Sequence, residues 1–411
     1  MQAMEVMVKC AVGLLLLLVG SVAVTGCGDD EGARGVQVVR RDSAGVEIVE
    51  NHAEAAALPL EWRIDTVPAV DIGQVEGDPT YELFRVTGTG VMPDGNIVVL
   101  NGGTQELRFY DERGSFVDAT GGSGEGPGEY QFPFLLAGPS YDTLHIFDRN
   151  RRLSFVALDG TFVRSWTPRG AIARPIGMMS PGRLITRDGS ASARPDTPEG
   201  MMRDDILYEI VDLESEVHDT VALFEGQQLL LSRFDLGDGR LTLAFTPVPL
   251  DVAPSAAVTP GFLFVTPGKL PEVLVYDSTG ALRRIFRLLQ RAMPVMRQDF
   301  DRAVDALVAE VDDAQEAAAI RRRHERMPLP ESMPVFRRLL VDEVGHVWVE
   351  KFDPESNLRH DWIVIDPTGR LMGHIVTPAG VTMHQIGRDY ILGHTRDELD
   401  IEHVVRYKLS R

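Results

Sequence analysis

The sequence predicts an all-β fold: a six-bladed β-propeller of four-stranded antiparallel blades, with a helical insertion between blades 4 and 5. Three observations carry this. A strand–turn–strand unit recurs five times, cleanest at residues 108–117 and 273–282, with Asp and Gly at the bend. It returns at 156–163 (Asp159-Gly160) and 364–371 (Asp366 to Gly369), and in worn form at 210–217, where Asp212 and Ser215 stand for Asp and Gly. From Arg85 onward three turn signals follow in succession, Pro93-Asp94-Gly95-Asn96, Asn101-Gly102-Gly103 and Asp111 to Gly114, which gives four strands per unit. The last unit stops at Arg411 one strand short, while residues 61–67 are a strand without a unit of their own. Hairpin units that cannot bury both faces alone stack with their copies, and ring closure by 61–67 removes the open sheet edges.

The elements follow in order. Residues 1–26 read as an export signal, with an apolar run from Ala11 to Val24 too short for a comfortable membrane span. Glu5 offsets Lys9 in the charged region before it, and a start at Met7 gives the tidier signal. The run ends in Val24-Thr25-Gly26-Cys27, which resembles a bacterial lipobox, so Cys27 is the expected lipidation site. The other cysteine, Cys10, lies within the signal, which leaves no disulfide for the mature fold. Residues 27–60 are then a tether and N-terminal hairpin, and 61–411 the propeller.

Blade strands are expected at 97–100 and 106–110; at 144–147, 153–157 and 161–166; and at 183–186 and 207–211. The later blades take 262–265, 272–276 and 281–286; 347–349, 362–365 and 370–375; and 381–386, 390–393 and 404–409. A polar insert surrounds Arg194-Pro195-Asp196, and the irregular stretch 226–257 has room for a degenerate seventh blade. Between blades 4 and 5, about 290–333, Phe300, Val304, Leu307, Val308 and Val311 recur at helical spacing with Asp299 placed to cap the start, and a second helix spans 314–326. This insertion is either a lid over the channel mouth or a pair packed on the rim.

Residues 42–51, the Gly-rich stretch 121–130 and Arg152-Leu153-Ser154-Phe155 resemble the 6-bladed β-propeller lipoproteins of environmental bacteria, relatives of NHL-repeat propellers. The resemblance covers nearly the whole mature chain. It implies the fold and the envelope location, and no general activity.

A formal charge of -20 without a basic stripe excludes nucleic acid as the expected partner. Gly121 to Gly128 has no phosphate-loop spacing and no following helix, so it reads as an inter-blade connection, with Glu125 and Glu129 near a propeller face as candidate binding residues. Six of ten histidines fall late; of these His346, His374, His384 and His394 are the candidates for a central channel. Their spacing is not that of ligands on one element. Asp235 to Gly239 lacks the alternating ligands of a calcium loop, and no hydrolase elbow is present. The expectation is therefore a monomeric, lipid-anchored envelope module without cofactor or catalytic residues. It would bind a protein, peptide or glycan at one propeller face. The rival is a propeller lyase or hydrolase with a metal held in the channel by residues of several blades.

Overall fold

The computed structural model describes residues 37–55, 58, 60–136, 142–189, 197–235, 241–290, 292–354 and 360–411. The signal segment, Cys27, residues 194–196 and 236–239 lie outside them.

The chain opens with a hairpin, β1 (Val38–Ser43) and β2 (Val46–Asn51), then two short strands, β3 (Arg63–Ile64) and β4 (Val70–Ile72). Six antiparallel meanders follow among the described residues. The first is β5 (Val86–Val91), β6 (Ile97–Asn101), β7 (Glu106–Tyr110) and β8 (Phe116–Gly121). The second is β9 (Phe134–Leu135), β10 (Thr143–Phe147), β11 (Leu153–Ala157) and β12 (Phe162–Trp166). The third is β13 (Arg174–Ser180), β14 (Arg183–Asp188), β15 (Gly200–Asp212), β16 (His218–Asp235) and β17 (Leu241–Pro247). The fourth is β18 (Ser255–Thr259), β19 (Phe262–Thr266), β20 (Glu272–Asp277) and β21 (Leu282–Leu288). After α1 (Arg297–Ala309) and α2 (Ala314–His324) come the fifth, β22 (Phe336–Val341), β23 (Val347–Lys351), β24 (His360–Ile365) and β25 (Leu371–Thr377), and the sixth, β26 (Thr382–Ile386), β27 (Tyr390–Arg396) and β28 (Glu402–Ser410).

The turns explain why the unit recurs. In each clean copy an Asp carboxylate accepts backbone N–H bonds from two and four residues on: Asp111 from Arg113 and Ser115, Asp277 from Thr279 and Ala281, Asp366 from Thr368 and Arg370. The chain then needs a left-handed residue, supplied by Gly114, Gly280 and Gly369. The worn copy differs from expectation. Asp212 still accepts from Glu214 and Ser215, but Glu216 rather than Ser215 takes the positive φ, 56°.

Central strands are apolar on both faces, as at Ile97 to Leu100, because each sheet is covered by its neighbours. Val98 and Leu107 share a cluster with Leu144 and Val156, joining the first and second sheets. Phe155 meets Met178 and Val211, and Tyr208 meets Leu263 and Tyr276. Phe286 packs with Val349 and Ile363, Trp348 with Met383 and Ile391, and Leu392 and Val404 of the sixth sheet with Val91 and Ile97 of the first. Every sheet thus shares a buried cluster with the next, and the sixth shares one with the first. Polar ties reinforce that last seam: Glu402 and Gln385 accept from the backbone N–H groups of Val86 and Val91, each at 2.7 Å.

The N-terminal segment runs along outer edges. β2 pairs in parallel with β21, extending the fourth sheet to six strands. Asn51 then bridges to the fifth sheet, donating to the carbonyls of Arg287 and Gly369 and accepting from the Leu371 N–H. Beyond it the Leu58 carbonyl accepts from the His374 N–H and the Leu60 N–H donates to the His374 carbonyl, while β3 and β4 pair successive stretches of β28.

Two expectations change. The stretch 226–257 is mostly ordered strand: β16 and β17 prolong the third sheet as an arm, tied down where buried Asp251 meets Gln228 N–H and Lys269 Nζ. Asp299 is not the helix cap. Met296 holds that position, and the Asp299 carboxylate reaches back to its N–H at 3.1 Å. The stripe of Phe300, Val304 and Val308 is buried against Val248, Leu250 and Met327, so the arm supplies the surface the helices need. Leu307, at the stripe's edge, is exposed.

Candidate functional site

A cavity of about 800 Å³ opens where four sheets turn from their innermost to their second strand. Met92 and Pro93 come from the first sheet, Val258 to Pro260 from the fourth, Val341 to Glu343 from the fifth, and His384 to Ile386 with Tyr390 from the sixth. From there it runs outward along the seam of the fourth and fifth sheets, floored by Phe264, Val275 and Phe286 and ending at Arg284 and Pro367. Its walls are mainly apolar. No residue of α1 or α2 lines it, and both helices sit in the connection between β21 and β22.

One polar group stands at the inner end. Tyr390 donates to Glu343 Oε1 at 2.5 Å, and Gln385 Nε2 donates to the same oxygen at 2.9 Å. Gln385 is fixed in turn by its carbonyl oxygen on Val91 N–H. Burial, and then the bond to Glu343, push the Tyr390 phenol well above its ordinary range, so it stays a donor at neutral pH. The carboxylate is therefore pre-set as an acceptor facing the cavity mouth. At the outer end Arg284 donates to the Pro367 carbonyl at 2.9 Å and lies 4.0 Å from Glu47.

Of the four candidate histidines, the structure brings two together. His384 lines the cavity, and its Nε2 lies 2.7 Å from Nδ1 of His394 on the adjacent strand. Burial pushes the His384 imidazole down to about 3, with His394 and Arg338 adding to the effect. His394 is also lowered, chiefly by burial. Two neutral rings sharing a hydrogen bond are the result.

His346 lies elsewhere, edge-on to Trp62 and 3.0 Å from Asp342, in a knot completed by Trp348 and Arg411. His374 is on the outer strand β25, bonded to the carbonyl of Ala55. Glu125 and Glu129 belong to the Gly-rich connection, which folds around Arg152: the guanidinium donates to the carbonyls of Glu125, Gly126 and Glu129 and pairs with buried Asp148. Their own carboxylates serve the same loop, Glu129 on Gly126 N–H and Glu125 on Gln131. Among the described residues no group of three or more His, Cys, Asp or Glu is placed to hold a metal ion. Glu343, Gln385 and Tyr390 went unnoticed in the sequence because no motif marks them. Their common signal is position, each standing at or beside an inner turn.

This is a β-propeller. No family model and no curated protein matches the chain. Solved structures do resemble it. A member of the DUF4221 family from Bacteroides vulgatus superposes with a TM-score of 0.50 at 11% identity, covering 86% of this chain and 99% of its own. A putative exported protein from Bacteroides fragilis gives 0.44 at 10%, covering 89% and 100%. Virginiamycin B lyase from Staphylococcus aureus gives 0.36 at 10%, covering 85% and 100%. At 11% identity the first of these likenesses speaks to fold alone.

Proposed function

We propose that the protein is a six-bladed propeller, closed by the N-terminal stretch 61–67 against β28 and held on the cell envelope by a lipid on Cys27, and that it acts as a non-catalytic binding module. Its ligand site is the cavity at the inner-turn face. The observation that carries this reading is the contrast within that cavity: an apolar floor of Phe264, Val275 and Phe286 beneath one fixed acceptor, Glu343. Ligand sites are built this way, with much apolar contact and a few oriented polar groups. Of the three expected partner classes, a peptide or protein loop suits it best, with an apolar side chain on the floor and an N–H or hydroxyl donor to Glu343.

The test is a thermal-shift screen of short peptides and oligosaccharides against the wild type and a Thr259→Trp variant that fills the mouth. Hits that lose binding in the plugged variant, and weaken with Glu343→Gln, support the reading. Stoichiometric metal that co-purifies with the protein and is lost on His384→Ala would overturn it in favour of a channel-metal enzyme. Fractionation of cells expressing Cys27→Ala tests the anchor: the variant is expected to leave the membrane fraction.

A further inference from the structure

We propose that Leu289, Met293 and Met296, between β21 and α1, together with Leu270 of the neighbouring β19–β20 turn, form a lipid-contact patch that seats the propeller on the bilayer carrying its anchor. The inference rests on the lipid-anchor reading above and adds to it the surface that faces the membrane.

Four large apolar side chains stand out of this part of the molecule: Leu270 (54% exposed), Leu289 (51%), Met293 (64%) and Met296 (61%). Leu270 and Leu289 are neighbours, because Leu288 N–H donates to the Pro271 carbonyl and brings the turn beside the end of β21, and Met293 and Met296 follow in the same connection. Buried companions hold the backbone of the methionine stretch. Val295 and Phe300 pack into the helix–arm cluster, and Met333 N–H donates to the Met293 carbonyl. The patch is therefore presented on a fixed frame.

Strand register says what lies beside it. Val38 is opposite Asn51, and Asn51 pairs with Leu288. At about 4.8 Å per strand, the first described strand begins about 10 Å from the end of β21. From Cys27 to Val38 is a reach of about 37 Å at full extension. A head on so short a tether rests some part of its surface near the bilayer, and this patch is the apolar surface next to the tether's entry. At a formal -20 the chain is repelled by anionic headgroups, so apolar insertion is what supplements the lipid.

The test uses the full lipidated chain in vesicles of phosphatidylethanolamine and phosphatidylglycerol at three to one. An environment-sensitive dye is placed at Met293→Cys or, as a control of similar exposure in the opposite sheet of the sequence, at Val117→Cys. The expected result is a blue shift and loss of aqueous-quencher access at 293 and neither at 117. Water-like emission at 293 in protein that floats with vesicles would overturn the patch and leave the anchor standing. Loss of flotation in both labelled chains would remove the anchor reading and the patch with it. A blue shift at 293 without vesicles, growing with protein concentration, would assign the patch to a second copy and overturn the proposal.

Discussion

Asn51 makes the sharpest test of how the N-terminal segment holds the molecule together. It is 3% exposed and makes three bonds across a sheet boundary, to the carbonyls of Arg287 (3.2 Å) and Gly369 (3.0 Å) and from the Leu371 N–H (2.7 Å). In Asn51→Ala the Leu371 amide loses its buried acceptor, which costs about 1–3 kcal/mol, and two carbonyls lose a donor at about 0.5–1 kcal/mol each. The expected loss is about 3 kcal/mol. With an unfolding entropy of about 2.1 cal/mol/K per residue, this lowers the melting temperature of a domain of about 375 residues by about 4 °C. Asn51→Asp keeps the acceptor but turns a carboxylate towards two carbonyls, so its loss should be at least as large at neutral pH and should shrink as the medium is acidified. Glu47→Ala, an exposed change on the same strand, should cost under about 1 kcal/mol. Calorimetry on the four proteins decides. A shift below about 1 °C for Asn51→Ala, or an Asp variant as stable as wild type, would refute the bridging role.

Three further outcomes are expected. Stability should fall with acid in two stages. The folded-state imidazoles of His145 (down to about 4), His384 (down to about 3) and His394 are depressed, so they stay neutral while the unfolded chain protonates below about 6.5. From there downward each removes about 1.4 kcal/mol per pH unit until its own folded pKa is reached, and His384→Gln should flatten the slope in urea titrations. The turn carboxylates Asp111, Asp159, Asp212 and Asp397 are held below the usual range chiefly by backbone N–H bonds, and their contribution is lost only below about pH 4. Gly369→Ala should cost about 2–4 kcal/mol by denaturant unfolding, because its φ is 89° and a Cβ would stand 2.5 Å from the Phe286 ring. Removing Arg411 should cost about 3 kcal/mol by the same measurement, since the buried Asp342 carboxylate loses the guanidinium 2.6 Å away.

The parts of the fold that were legible in the sequence are those governed by local chemistry. Asp111 to Gly114 and Asp277 to Gly280 announce turns because an Asx acceptor and a left-handed glycine are needed at fixed positions. Where geometry was met by other residues the signal faded. Arg151, Glu216 and Asp400 occupy positive φ without glycine, and β9 has only two residues. The β16–β17 arm was missed for a different reason. Its strands are mostly half-buried, and they meet the apolar cluster of the helices through Leu230 and, just past β17, Val248 and Leu250, so no clean alternation marks them. The five recurring turns, which join the third strand of a sheet to the fourth, were read as scaffold, whereas the cavity group lies in the inner turns between first and second strands, where Glu343 and Tyr390 sit beside Asp342 and Asp389 and polar residues are expected anyway.

The histidines show why counting residue types misleads on such a scaffold. Spacing near ten, as from His384 to His394, is the distance between facing positions on adjacent strands of a meander. Two residues so spaced meet whenever the register allows, as these do at 2.7 Å. A third ligand must come from another strand at the same height, and the nearest charged groups to this pair work against a cation. Arg338, from the fifth sheet, depresses both imidazoles, and the carboxylate of Glu402, which raises that of His394, is already committed to Arg396 and to Val86 N–H. The same seam is where the sixth sheet meets the first, and its polar residues are spent on that junction. Chemistry in this propeller is then most economically sought where a polar side chain is held but not consumed, and Glu343, oriented by Tyr390 and Gln385 through a single oxygen, meets that condition at the cavity mouth.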